Sequence, residues 1–195
     1  MLKMENELKV EGIELMGNHV KDKLKSCGTG VKINGLAKIA KPEVVELHDN
    51  CRLGDFTFIY GGVRVVIGKH TDFQPHARIW GGGTCVIGDR VNIGPGTTLL
   101  TAKYLHESGQ IMVDGMENGE STMEYGLCEI GNDAYLGANC VVMPVKIGEG
   151  AIVAASSFVT HNLKPWGIYA GNPAKRIGWR EKPSDEMLNE INSRE

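Results

Sequence analysis

Aromatic side chains are scarce in this 195-residue chain: four Phe, five Tyr and three Trp, 6% in all. No apolar run approaches the roughly 20 residues of a membrane span. The first residues, MLKMENELKVEG, hold neither a long apolar stretch nor a small-residue cleavage site, which argues against a signal peptide. Charge is nearly balanced at −3, with a pI near 6.1, so the chain lacks the basic footprint of a nucleic-acid binder. The five cysteines (Cys27, Cys51, Cys85, Cys128 and Cys140) are odd in number and include no C-x-x-C pair. They read as reduced thiols in a cytoplasmic protein.

Glycine, by contrast, is abundant. There are 26, against a usual share of about 7%. No G-X-Y period and no Gly/Ser tract accompanies them, so neither collagen nor a linker is implied. They are spread evenly, 24 of them between Gly28 and Gly178, as turn punctuation would be.

A repeat explains the spread. From Ile33, aliphatic or aromatic residues fall at 33, 39, 47, 53, 59, 67, 73, 79, 87, 93 and 99, with spacings of 6, 8, 6, 6, 8, 6, 6, 8, 6 and 6. The beat is 20 residues. It resumes at Ile130, Leu136, Val142, Ile147, Val153 and Val159. Four residues after these positions stands a mostly small column, including Ala37, Cys51, Thr57, Thr71, Ala77, Thr97, Ala134, Cys140, Ala151 and Ser157, with the larger Val63 and Val91 among them. Glycine follows directly at Gly54, Gly68, Gly88, Gly94, Gly131, Gly137 and Gly148.

Six residues suit one short strand plus one turn, and three such units close a three-sided coil. Coils stacked at about 4.8 Å would line up their inward residues as ladders. The small column would fit near the corners, and glycine would supply backbone angles that other residues avoid. A narrow prism leaves little room for rings, and the two extra residues per beat should bulge from one corner. An antiparallel sandwich would instead alternate with period two and vary its loop lengths. The spacing therefore predicts a parallel β-helix over 31–180. Residues 1–30 read as a helical cap and 181–195 as a short helix with Met187, Leu188 and Ile191 on one face. Glu43, where a small residue belongs, and the five-residue step from Val142 to Ile147 predict local irregularities.

The stretch IGNDAYLGANCVVMPVKIGEGAIVAASSFVT, followed by AGNPAKRIG, resembles the hexapeptide-repeat acyltransferases over roughly residues 30–180. The chain is closest in character to bacterial sugar O-acetyltransferases and xenobiotic acetyltransferases. The resemblance implies an all-β, left-handed β-helix, acetyl-CoA as co-substrate, no metal, and a homotrimer whose sites use two chains. Gamma-class carbonic anhydrases share the fold, but they need an H-x4-H pair, and no two histidines here are five apart.

The repeat breaks over 101–129, TAKYLHESGQIMVDGMENGESTMEYGLCE, and restarts in register. A long excursion from a rigid scaffold is commonly functional. The resembling enzymes carry their catalytic histidine near the start of such a loop, where His106 stands here. Histidine, with an ordinary pKa near 6.5, can accept a proton from a hydroxyl or amine as it attacks a thioester. His76, in FQPHARIW, is the rival base and an acceptor-contact candidate. Tyr135 and Trp80 are further acceptor candidates, with Trp166 a possible pocket wall. His48 and His70 read as surface turns. Residue by residue, the resemblance places CoA contacts at Ala138, Ala155, Thr160, His161 and Pro173, with Lys175, Arg176 and Arg180 near the phosphates. The implied function is acetyl-CoA-dependent O-acetylation of a sugar-like small molecule. The alternatives are N-acetylation of a nucleotide-linked amino sugar, xenobiotic acetylation, and a non-catalytic hexapeptide scaffold.

Overall fold

The structure is a computed structural model that describes residues 12–105, 123–187 and 190. The chain winds into a left-handed parallel β-helix of about six turns. Three parallel sheets form its faces. The first face runs from Ser26–Cys27 through Val45–Leu47, Arg64–Ile67, Thr84–Ile87 and Leu127–Ile130 to Lys146–Ile147. The second begins at Lys32–Ile33 and includes Asp72–Phe73, Asn92–Ile93, Tyr135–Leu136 and Ile152–Val153. The third stacks Lys38–Ala40, Phe58–Tyr60, Arg78–Trp80, Thr98–Leu100, Val141–Val142 and Phe158–Val159.

The periodic residues are the core. Leu47, Ile67, Ile87, Ile130 and Ile147 pair coil to coil on the first face. Leu53, Phe73, Ile93, Leu136 and Val153 do so on the second, and Ile39, Ile59, Ile79, Leu99 and Val142 on the third. All are essentially solvent-free. The small column is buried at two corners, as Ala37, Cys51, Thr71, Ala77, Thr97 and Cys140 show. Its buried hydroxyls bind neighbouring coils: Thr97 Oγ1 donates to the Gly137 carbonyl at 2.8 Å and accepts from the Cys140 N–H at 3.1 Å. At the third corner the column lapses, and Val63 is exposed.

The glycine column has a different cause from the expected one. None of its seven members holds a left-handed φ. A Cβ on Gly54 would instead lie 2.6 Å from the Pro75 nitrogen, and one on Gly94 2.6 Å from the Gly137 carbonyl carbon. These glycines let one coil sit against the next. The left-handed residue comes two positions later, at Asn50, Phe56, His70, His76, Arg90, Asp133, Asn139 and Ser156.

The long corner joins the third face to the first. The 8-residue steps bulge there, at Pro42–Val44 and around Gly61–Gly62 and Gly81–Gly82. Glu43 falls in that bulge. The excursion leaves from the same corner. The Gly126 N–H donates to the Thr101 carbonyl at 2.8 Å and closes its neck, and Ala102–Tyr104 pairs antiparallel with Met123–Tyr125. In the shortened step after Val142, Pro144 packs where a Cβ on Gly126 would be.

Both ends are covered. Before the first coil, Ile13–Leu15 and Gly17–Lys23 form 3-10 turns, with Val20 fully buried beneath the prism. The Gly17 N–H donates to the Ala37 carbonyl at 2.9 Å, tying this segment to the coil edge; such a short, anchored connector suits 3-10 geometry. At the far end, Lys175–Trp179 folds back antiparallel on Gly167–Ala170 and protects the last edge. Residues 185–187 are helical and Met187 is exposed, whereas Leu188 and Ile191 lie outside the described residues. Among the described residues no helix is long and apolar enough to cross a membrane.

Candidate active site

Outward positions on the third face flank the inward ladder. Phe58 and Tyr60 lie on either side of Ile59; one coil later Arg78 and Trp80 flank Ile79, in parallel register. The corner before them presents Phe56 and His76, whose rings stack with centroids 4.9 Å apart and planes within 10°. Phe56, Phe58, His76, Arg78 and Trp80, with Thr98 and Leu100, line a groove of about 700 Å³.

Trp80 closes one end of that groove and tilts against both Phe58 and Tyr60, at 5.6 and 5.7 Å. Beyond it lies a second chamber of about 370 Å³, walled by Tyr60, Gly81, Gly82 and, from the excursion, Met123 and Tyr125. Lys41 is held over the Tyr60 ring and donates to the Gly62 carbonyl. The long corner lets the backbone approach closely here: Gly81 and Gly82 hold φ of 130° and 88°. On the far side of the hairpin, Lys103, Glu124, Met143 and Thr160 border a third hollow of about 270 Å³. The described base of the hairpin therefore stands between hollows on the earlier and later coils.

The sequence candidates divide accordingly. His76 and Trp80 share the large groove. Tyr135 points outward from the second face, between Asn92 and Ile152 in register, and does not join them. His106 lies outside the described residues, as do the acidic Glu107, Asp114, Glu117 and Glu120 of the same excursion. Ala138 and Ala155 occupy the same prism edge as His76, two and three coils further on. Pro173 reaches the end of that edge, because Ala174 N–H donates to the Phe158 carbonyl and Gly171 N–H to Ser157 Oγ. Thr160 and His161 sit at the next corner, linked at 3.4 Å through Oγ1 and Nδ1. Lys175 and Arg176 are exposed on the last strand, Arg176 over the Trp179 ring. Arg180 is occupied structurally: it donates to the Asp133 and Gly150 carbonyls and lies over Trp166, whose ring packs on Gly150 away from the groove.

Sequence reasoning passed over Phe56, Phe58, Tyr60, Arg78 and Tyr125. Phe58, Tyr60 and Arg78 carried a usable signal, since Phe58/Arg78 and Tyr60/Trp80 recur at the 20-residue offset on either side of the inward column.

Three of the buried thiols are poorly suited to act as nucleophiles. Cys51 is buried and its pKa is pushed up to about 12 by desolvation. Cys85 is raised well above the ordinary thiol range, chiefly through its hydrogen bond with Cys128. Cys140 is raised by burial. Thiolates would be scarce at each. Among the described residues no three His, Cys, Asp or Glu side chains converge to hold a metal ion.

Residues 129–161 match the family model described as hexapeptide repeat of succinyl-transferase. Over these residues the chain is similar to the hexapeptide-repeat acyltransferases. This hexapeptide-repeat protein is similar to AntD, an N-acyltransferase from Bacillus cereus solved in complex with dTDP and 3-hydroxybutyryl-CoA. That match has 28% identity and a TM-score of 0.83 over 90% of this chain and 93% of that one. It is 29% identical over 166 residues to the dTDP-4-amino-4,6-dideoxy-D-glucose acyltransferase of Escherichia coli, covering 84% of this chain and 86% of that protein. A probable macrolide acetyltransferase of Lysinibacillus sphaericus is 50% identical, but over only 60 residues. The chain spans about a third of that relative's length.

Proposed function

We propose that the protein is an acyl-CoA-dependent N-acyltransferase acting on a nucleotide-linked amino sugar. The observation that carries this is the near end-to-end, mutual coverage with AntD, an N-acyltransferase. The match to the Escherichia coli amino-sugar acyltransferase is similarly extended, whereas that to the macrolide enzyme stops at 60 residues. Support for an amine acceptor is therefore stronger than for the sugar hydroxyl suggested by the sequence resemblance.

In this reading the acceptor lies on the third face of the earlier coils, against His76 and Trp80. The acyl-CoA runs along the later coils past Ala138, Ala155, Thr160, His161 and Pro173, with Lys175 and Arg176 toward its phosphates. The neutral amine attacks the thioester carbonyl, a tetrahedral oxyanion forms, and the C–S bond breaks to leave amide and CoA thiolate. His106 accepts the proton lost by nitrogen and returns it to the thiolate sulfur. Two chains of a homotrimer complete each site. The five free thiols accord with a reducing compartment such as the cytoplasm.

The test follows thiol release from acetyl-CoA and a longer acyl-CoA with a dTDP-linked 4-amino sugar and its 4-hydroxy counterpart. Turnover with the amine alone is expected. Turnover with the hydroxyl sugar alone would restore O-acetylation, and none with either, together with no CoA binding, would leave a scaffold. His106→Ala should reduce kcat by about 10²–10⁴-fold. Near-normal turnover would transfer the base role to His76.

A further inference from the structure

The arginines of the described coils are nearly all engaged. Arg52 pairs with Asp72 at 3.6 Å, Arg64 with Glu46 at 2.9 Å and Arg90 with Asp133 at 2.8 Å. Arg176 covers Trp179 and Arg180 caps two carbonyls. Among the described residues Arg78 is the arginine without an ion pair, side-chain hydrogen bond or ring contact. Its register neighbours, Phe58 and Thr98, carry no charge. It is exposed in the middle of the large groove.

The walls beside it are equally unusual for this chain. Only 6% of residues are aromatic, yet Phe56, Phe58, Tyr60 and Trp80 fall within 25 positions and gather on one face. Phe56 and Trp80 are each 54% exposed. Phe56 and His76 also hold left-handed backbone, at φ 60° and 62°, where the same edge later carries Gly96, Asn139 and Ser156. Bulky residues are disfavoured in that conformation, and such outliers gather at binding sites. An unpartnered guanidinium between two exposed aromatic walls matches a ligand with a flat ring and a phosphate group.

We propose that Arg78 reads the diphosphate of a nucleoside-diphosphate acceptor, while Trp80 and the Phe56–His76 pair stack on its base. This rests on the acceptor function above and assigns its recognition to named residues. CoA also carries a base and a diphosphate, so the test must separate the two sources.

Calorimetry on the full chain would use dTDP, thymidine and CoA as probes. Wild type should bind dTDP at least about tenfold tighter than thymidine, because a charge-assisted phosphate contact is worth that much. Arg78→Ala should abolish this preference and leave thymidine and CoA unchanged; Arg78→Lys should restore part of it. Trp80→Ala should weaken dTDP and thymidine alike, by about tenfold or more. Circular dichroism should show both exposed-site variants folded. Undiminished dTDP binding by Arg78→Ala would overturn the assignment but leave the amino-sugar function standing. Loss of CoA binding instead would make the groove a donor site and also overturn it. If wild type bound no dTDP, both would fall.

Discussion

Phe56 and His76 stack ring on ring at 4.9 Å from consecutive coils, although each holds a left-handed φ near 60°. A left-handed backbone costs a residue with a Cβ about 1–2 kcal/mol. At the equivalent corner Asn139 avoids much of that cost, as does Asn50 at the preceding one. Replacing Phe56 with Asn should therefore leave the melting temperature unchanged or raised. The acceptor KM should rise by about tenfold as a stacking wall is lost. A fall in stability with unchanged KM would make the pair structural.

The two kinds of glycine separate cleanly. Gly94→Ala places a methyl 2.6 Å from the neighbouring coil's backbone and should destabilise by about 1–3 kcal/mol, as overpacking does. Gly35 has nothing within 4 Å of its would-be Cβ and no left-handed φ, so Gly35→Ala should be neutral or stabilising by up to about 1 kcal/mol. Denaturant melts of the two variants would show the contrast.

Thr97→Val keeps the shape of a buried side chain but removes its hydroxyl. The Gly137 carbonyl and the Cys140 N–H each lose a partner. A loss of about 1–3 kcal/mol is expected from the desolvated groups left behind, measured by the same melts.

Hydrogen bonds from Arg64 and Lys25 hold the Glu46 carboxyl below its ordinary value of 4.5. The folded form thus favours the carboxylate. Its stabilisation is present above that ordinary value and is lost as pH falls through the depressed folded one. The melting-temperature gap between wild type and Glu46→Gln should stay constant at neutral pH and shrink below pH about 4.5.

Cys27 is the exposed thiol; Cys51, Cys85, Cys128 and Cys140 are buried. Mass spectrometry after native alkylation should find label on Cys27 and on the others only after unfolding. Burial also raises the Cys27 pKa, so its labelling should accelerate at alkaline pH.

Much of the fold was legible because a solenoid repeats one local decision. An aliphatic residue at 47, 67 and 87 meets the same surroundings each time, so the spacing reports the pairing directly. The reason for the glycine column was not legible, since a Cβ clash with Pro75 or Gly137 exists only after coils stack. The type of turn in the cap was not legible for a related reason: the Val20 stretch is tied to the first coil at Gly17 and winds as a 3-10 helix. Of the acceptor candidates, His76 and Trp80 converged while Tyr135 fell on another face, because outward residues on different faces cannot meet within one chain.

The residue order alone determined the three-sided coil, its 20-residue beat and the point where the beat breaks, because each depends on neighbours along the chain. Tertiary structure decided what lies between coils: an Arg78 without an ion pair among the described residues, flanked by rings from residues 20 positions apart, and a hairpin neck closed from Gly126 to Thr101. Those relationships arise between stacked coils, where the 20-residue beat fixes which residues are neighbours but not which charges pair or which rings stack.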